Sequence, residues 1–488
     1  MAYQDLREFI ARLDAEGELI RVRAPVDPEL EITEITDRIS KGPAERNKAL
    51  LFENVRGSDI PVLINMFGSR RRMALALGVD DLDELGQRLA SLLDLGMPKT
   101  WGEKLGKLGQ LLDVARIGPR TVRRAPCQEV VETQNPSLAG LPILKCWPLD
   151  AGRYITLPCV ISRDPRSGRR NVGMYRLQVF DERTLGMHWQ LHKGGAEHER
   201  VAQEVQAERI PVAVALGGDP ATIWSGSAPL PPDIDEFLLA GWLRGRPVDL
   251  VPCVSQPLEV PADAEIIIEG YVDPREHRLE GPFGDHTGYY SLPDHYPVMH
   301  ITAITRRQRP IYPTTIVGRP PMEDYWMGKA TERLFLPLIR LFLPEIVDIN
   351  MPAEGVFHNL VIVSIRKRYP GHARKVMYGL WGLGLMMLAK AIIVVDADVN
   401  VHNLSEVAWR VTNNIDAGRD CIIVEGPVDA LDHAAPRPNY GAKIGIDATR
   451  KGPLDGFQRE WPPDIVMSPE IKALVDRRWN EYGIGEAY

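Results

Sequence analysis

Short apolar runs bounded by glycine and proline recur along the chain and limit what it can fold into. Five fall in the middle: ITLPCVIS (155–162), VGMYRLQVF (172–180), IPVAVALG (210–217), AEIIIEGYV (264–272) and VMHITAIT (298–305). Runs of this length, rich in β-branched residues, read as strands. Only two helical patterns interrupt them, at 195–207 and 235–244. Many strands with few helices predict a barrel or a strongly curled sheet. On the N-terminal side, 5–14, 28–39 and 81–95 read as helices, and 49–52 and 61–66 as short strands. That pattern predicts a small α/β lobe, closed by the basic connector GPRTVRRAP (118–126). After about residue 324, helical patterns alternate with NLVIVSIR, AIIVVDAD and CIIVEGP, which suit buried parallel strands. A chain of 488 residues is too long for one core. The expected fold class is therefore mixed α/β (α+β) in three parts, 1–118, 119–322 and 323–488, with the segment from Pro436 wrapping over another lobe.

Composition removes several function classes. The net charge of −8 gives no basic field to hold nucleic acid. Five scattered cysteines without a CxxC pair argue for reduced thiols and a cytoplasmic setting. The N-terminus has no signal-peptide layout. The most apolar stretch, VMYGLWGLGLMMLA (376–389), is too short to span a bilayer and reads as a buried helix feeding a strand at 391–395. A peripheral membrane contact is the alternative use for it.

Four clusters carry chemistry. In LEGPFGDHTGYY (279–290), Glu280 and Asp285 stand among three glycines and a proline, after a strand expected to end near Val272. Fixed geometry suits an acid–base pair, and neighbouring carboxylates push each other's pKa apart. A Gly-rich hairpin with solvated acids fits the same residues. In NVGMYR (171–176), an inward-facing Arg176 would need an anionic partner, either Glu280 or a substrate carboxylate, whereas an exposed Arg would need none. In MHWQLHKGGAEH (187–198), Lys193 and two glycines precede a helix, where free backbone N–H groups can receive phosphate. His192 there is either a metal ligand or an ordinary hydrogen-bonding residue. In DIDEFLLAGWLRG (233–245), Glu236 lies in the first turn of an apolar helix, where the helix dipole alone would favour it.

In this order the clusters resemble the UbiD decarboxylase family. So do DLREFIARLDAEGEL, PVDPELEITEITDR, ALLFENV, PVAVALGGDPATI, PADAEIIIEGYV, GRPPMED, GHARKVMYGLW and GIDATRK, and the likeness spans essentially the whole chain. The resemblance implies a central split β-barrel that binds prenylated FMN, an N-terminal α/β lobe and a C-terminal α/β oligomerisation domain. It implies a divalent metal, typically Mn2+, held by Asn171, His192 and Glu236, with a bound K+ as well. Such a mixed oxygen and nitrogen set suits manganese or magnesium. Met174, Tyr175, Arg176, His188, Trp189, Gln190, Lys193 and Gly194 would lie along the cofactor, with Lys443 as a further phosphate contact.

The same resemblance makes Arg176, Glu280 and Asp285 the catalytic set. Asp285 would be the proton donor, its pKa raised by burial and by Glu280, and Glu280 would hold Arg176. Ferulic acid decarboxylases carry Glu at the position of Asp285; the polyprenyl-hydroxybenzoate branch carries Asp with a following His, as here. The implied reaction is decarboxylation of a 4-hydroxy-3-polyprenylbenzoate in ubiquinone synthesis. The alternatives are the same chemistry on a small aromatic, heteroaromatic or α,β-unsaturated acid, and a non-catalytic flavin- or metal-binding assembly role, which the complete Arg–Glu–Asp set disfavours. Implied partners are a flavin prenyltransferase that supplies the cofactor and further copies of the chain, as a dimer or hexamer. The location would be cytoplasmic, with contact at the inner face of the membrane as an option.

Overall fold

Residues 170–181 decide the shape of the middle of the molecule. The computed structural model describes residues 3–93, 117–191, 193–231 and 234–485. Its largest sheet has nine strands. The order along it is Tyr154–Ile155, Leu177–Asp181, Thr184–Met187, Asp294–Arg306, Ile266–Glu280, Ile210–Leu216, Cys159–Arg163 and Arg170–Gly173, with Val130–Glu132 on the flank of Asp294–Arg306. Arg170–Gly173 is thus one end of the sheet, and Leu177–Asp181 lies one strand from the other end. Only residues 174–176 join them. Four Cα–Cα steps reach at most about 14 Å, so the sheet must curl until its two ends nearly meet. Among the described residues no strand pair closes the gap. The single strand expected over 172–180 is therefore two strands. Met174 leaves the ladder, its N–H donating 2.8 Å to the Gly226 carbonyl.

The apolar runs follow from burial on both faces of the curl. Val212, Val214, Ile266 and Ile268 pack inward with Leu177 and Leu185. Their neighbours Ala213, Ala215 and Ile267 pack outward against Phe237, Leu250 and Val260. Period-two alternation thus feeds two cores from one strand. The strand expected to end near Val272 instead continues to Glu280, after a register shift between Val272 and His277. The Asp273–Pro274 step falls inside that irregularity, where a proline is tolerated within a sheet.

The N-terminal sheet runs Leu19–Val22, Ala49–Phe52, Val62–Ile64 and Tyr312–Pro313. Its last strand comes from beyond the central sheet. The helices Leu6–Ala15, Glu31–Lys41 and Asp83–Leu93 match the expected ones, and Arg70–Ala76 is an additional short helix; the end expected at 95 lies outside the described residues. The long helix Glu323–Phe342 packs against this lobe. Its first residue, Glu323, accepts from the backbone N–H groups of Asn65 (3.1 Å) and Phe67 (2.7 Å).

The C-terminal sheet runs Ile346–Asn350, Leu360–Ile365, Ala391–Asp396, Tyr440–Asp447 and Cys421–Pro427, parallel in its three central strands and antiparallel at both edges. The run CIIVEGP, expected as a buried parallel strand, is thus an antiparallel edge strand with no fully buried residue, and Tyr440–Asp447 takes the third parallel place. The stretch 376–389 is not one buried helix. The helix His372–Trp381 buries Val376, Met377 and Leu380. Gly382 and Gly384, the latter at φ +46°, then break it, and the 3-10 turn Gly384–Leu388 buries none of its residues. The segment from Pro436 does not wrap another lobe as a unit: Tyr440–Asp447 is a sheet strand, and the helix Pro469–Arg478 buries nothing. Among the described residues no helix is long and apolar enough to cross a membrane.

Glu323→Leu removes the acceptor for two buried N–H groups, each costing about 1–3 kcal/mol when left unpaired. Urea denaturation of the variant is expected to show a lower midpoint with an unchanged slope.

Candidate active site

The loop after Glu280 is stiff because its neighbours leave it no room. Gly281 (φ +92°) and Gly288 (φ +83°) occupy the left-handed region. A Cβ on Gly284 would stand 2.3 Å from the Trp147 ring, so only glycine fits there. The Asp150 carboxylate ties both sides together, accepting from Gly284 N (2.7 Å) and Trp147 N (2.8 Å). Glu280 itself closes the long strand, opposite Asp294, and Asp285 lies in the loop.

Arg176 emerges at the gap in the sheet and meets both acids. Its Nε and Nη2 donate to the two Glu280 oxygens at 2.8 and 3.0 Å, a bidentate pair. Nη2 also reaches Ser291 Oγ at 3.0 Å, Nη1 bonds Asp285 Oδ2, and the guanidinium lies 4.7 Å from the Phe283 ring centre. Of the two expected partners Glu280 is the one the fold places on it, and one Nη1–H is left over. His188 Nδ1 stands 3.1 Å from Glu280 Oε2, with its ring against Tyr296 at 4.2 Å. His286 Nδ1 and its backbone N–H each lie 2.7 Å from Asp285 Oδ1.

These contacts reverse one expectation. Burial pushes both acids upward, but the His188 ring and Arg176 hold Glu280 down at about 2. For Asp285 burial is likewise outweighed, by the His286 ring and Arg176, and its carboxyl sits below the ordinary range rather than above it. The reason is that Arg176 stands between the two carboxylates, which neutralises the repulsion expected between them.

A cavity of about 900 Å3 opens on this network. Asn171, Met174, Tyr175, Arg176, His188, Gln190, Lys193, Gly194, Glu236 and Asp285 all line it. Trp189 does not: it is buried in the inward core and faces a second cavity of about 1450 Å3. His192 lies outside the described residues. Lys443 also misses the first cavity, because its ammonium bonds the Met387 carbonyl behind the 384–388 turn. Trp381, Leu385 and Met387 form the opposite wall. Sequence reasoning missed Asp324, Phe357 and His358, contributed by the C-terminal region. Burial raises Asp324 to about 7, and its Oδ2 has no hydrogen-bond partner among the described residues.

Two charged groups line the cavity, Glu236, which is buried, and Lys193, which is half-buried. Burial raises Glu236 to about 7. Its Oε2 accepts from Val172 N at 3.0 Å, while the nearby Arg170 pairs with Asp235 instead. Desolvation lowers Lys193, and the Asp429 charge opposes that. Among the described residues no cluster of three His, Cys, Asp or Glu could hold a metal. Asn171 Oδ1 faces Gly194 so closely that a Cβ there would meet it at 2.0 Å.

Comparison with known proteins fits this geometry. A model described as the 3-octaprenyl-4-hydroxybenzoate carboxy-lyase Rift-related domain matches residues 120–320. The corresponding N-terminal and C-terminal domain models match 10–89 and 325–448. The chain belongs to the UbiD family. It is a carboxy-lyase of that family. An uncharacterized protein of Archaeoglobus fulgidus is 55% identical over 482 residues, covering 99% of each chain. Among solved structures, vanillic acid decarboxylase of Sedimentibacter hydroxybenzoicus in closed form superposes with a TM-score of 0.85 at 29% identity, covering 99% of this chain and 100% of that one. The UbiD-class enzyme HmfF from Pelotomaculum thermopropionicum, in complex with FMN, gives 0.80 at 31%, covering 97% and 99%.

Because Glu280 sits near 2 in the fold against an ordinary 4.5, its pairing stabilises fully above pH 4.5 and is lost as pH falls toward 2. That contribution is on the order of 3 kcal/mol. Denaturation at pH 5, 4 and 3 is expected to show stability falling across this window, and falling less steeply in Glu280→Gln.

Proposed function

We propose that this UbiD-family carboxy-lyase removes CO2 from an aromatic carboxylic acid with prenylated FMN as cofactor. The observation that carries the reading is the pair of opposite charges, Glu236 and Lys193, that line the cavity beside the Arg176–Glu280–Asp285 network. A buried carboxylate and a half-buried ammonium in one cavity would suit a divalent cation and a phosphate. Asn171 and Glu236, with His192, would hold a divalent cation such as Mn2+. Lys193 and the N-terminus of the helix Gly194–Glu204 would face the phosphate. A structure of an evolved dimeric HmfF, 30% identical with a TM-score of 0.77, was solved in complex with prFMN, which supports the same cofactor here. A flavin prenyltransferase would supply it.

Bound there, the prenylated flavin supplies the electron sink that decarboxylation needs. The chain supplies placement and one proton. Glu280 fixes the Arg176 plane by two parallel bonds, and Arg176 fixes Asp285 Oδ2 at the cavity wall. Asp285 then protonates the carbon that has lost CO2.

For the substrate we propose a 4-hydroxybenzoate bearing a polyprenyl chain. The supporting observation is the second cavity, which shares His188, Gln190, Lys193, His286 and Leu385 with the first and has exposed Leu191, Tyr289 and Leu292 around it. Those three exposed apolar side chains would meet a long tail leaving the ring. A small aromatic acid is the second reading, favoured by the whole-chain likeness to vanillic acid decarboxylase.

Co-production with a flavin prenyltransferase is expected to yield protein whose released cofactor has the mass of prenylated FMN. Glu236→Ala should lose it. No flavin in folded wild-type protein would overturn the cofactor assignment. Asp285→Asn is expected to keep the cofactor and lose CO2 release by about 10²–10⁴-fold. Comparing a short-chain prenylated hydroxybenzoate with unprenylated acids separates the two substrates.

A further inference from the structure

Asp285 is ionised where it stands, yet as a proton donor it must carry a proton when the reaction calls for one. The source lies one bond away. His286 Nδ1 is 2.7 Å from Asp285 Oδ1, and its far nitrogen, Nε2, is 2.8 Å from Nε2 of His358. Two imidazole nitrogens at that distance require one proton between them: one ring donates and the other presents a lone pair. His286 belongs to the central loop. His358 comes from the C-terminal region, between the turn Ala353–Gly355 and the strand Leu360–Ile365. The backbone that delivers it is strained, because Val356 (φ +54°) and Phe357 (φ +42°) both occupy the left-handed region that a β-branched or aromatic residue avoids. Phe357 and His358 rings then meet the His286 ring at 5.6 and 5.1 Å.

We propose that His286 stores the proton that Asp285 delivers, and that His358, acting through His286, fixes the imidazole tautomer from which that proton can leave. The identity of the accepting carbon rests on the decarboxylase reading above. The His286 Nδ1–H bond breaks, its electron pair stays on nitrogen, and the proton bonds to Asp285 Oδ1. His286 is left neutral and keeps its Nε2–H on His358. The acid so formed passes the proton to carbon. Solvent in the second cavity, which both rings line, returns one proton to the pair per turnover. His358 is a positioning residue in this scheme; its Nδ1 is buried and has no partner among the described residues.

The surrounding charges agree. Asp285, Asp324 and Asp429 face His286, and against the effect of burial they raise its pKa. Burial first, and then the His286 charge, lower His358 to about 4, although Asp429 and Asp285 oppose this while Lys193 adds to it. Both directions favour the shared proton on His286 and the lone pair on His358.

The test is imidazole 15N NMR of the cofactor-loaded protein between pH 5 and 9, with His286 assigned from a His286→Gln sample. His286 is expected to carry protons on both nitrogens at pH 7, and His358 to be neutral with Nε2 unprotonated. In His358→Leu the His286 titration should move down by about one unit, tenfold in proton affinity, and the alkaline limb of kcat/KM should move with it. His358→Gln, whose amide oxygen accepts the same bond, should restore both. A neutral His286 at pH 7, or a titration unmoved in His358→Leu, overturns the proposal. Should His358→Leu fail to fold, the wild-type spectrum decides alone. Absence of CO2 release in the wild type would count against the decarboxylase reading and leave the imidazole titration readable.

Discussion

The three residues that cross from one end of the curled sheet to the other set the terms for everything around them. Because 174–176 span the gap between Arg170–Gly173 and Leu177–Asp181, their side chains cannot be absorbed into a strand ladder. Met174, Tyr175 and Arg176 are presented instead to the cavity that the gap creates. Asn171 sits on one lip and Glu280 ends a strand across the sheet. The arginine is held by acceptors at fixed distances on rigid elements, which is the arrangement that placement-dependent proton chemistry needs.

Much of this was legible in the chain. The strand runs, the short N-terminal elements and two of the three parallel strands near the C-terminus, Leu360–Ile365 and Ala391–Asp396, announce themselves through apolar runs; the third, Tyr440–Asp447, does not. The Gly-rich loop announces its stiffness, and Gly284 against Trp147 gives the reason. Other features could not be read because they depend on contacts distant in sequence. Nothing local tells that residue 174 will bond Gly226 rather than continue its strand. Nothing local tells that Asp285 will be flanked by Arg176 and His286, so its pKa direction was misread. His358 carries no motif, and Asp324 ends GRPPMED without any local sign of a role; only the docking of the C-terminal region on the loop brings them in.

The electrostatics of the site form one design. Four acids, Glu236, Glu280, Asp285 and Asp324, are all buried at or beside the cavity, yet they sit at opposite ends of the protonation range. The two that meet Arg176 are held ionised. The other two are pushed up, by burial before any other cause. Burial is common to all four, so the difference comes from the hydrogen bonds that a histidine ring and Arg176 make to Glu280 and Asp285.

The turn Gly384–Leu388 has a consequence of a different kind. It stands opposite the charged wall, buries none of its own residues and follows a helix that two glycines have already stopped. Leu385 and Met387 shape the cavity without supporting a core. The wall at 171–176 is geometrically locked, since an inserted or deleted residue there would pull the sheet ends out of register. The facing turn bears no such load. Divergence of substrate range should therefore accumulate on one side of the cavity while the chemistry on the other stays still, so that a single scaffold can exchange one acid for another without relearning how to move a proton.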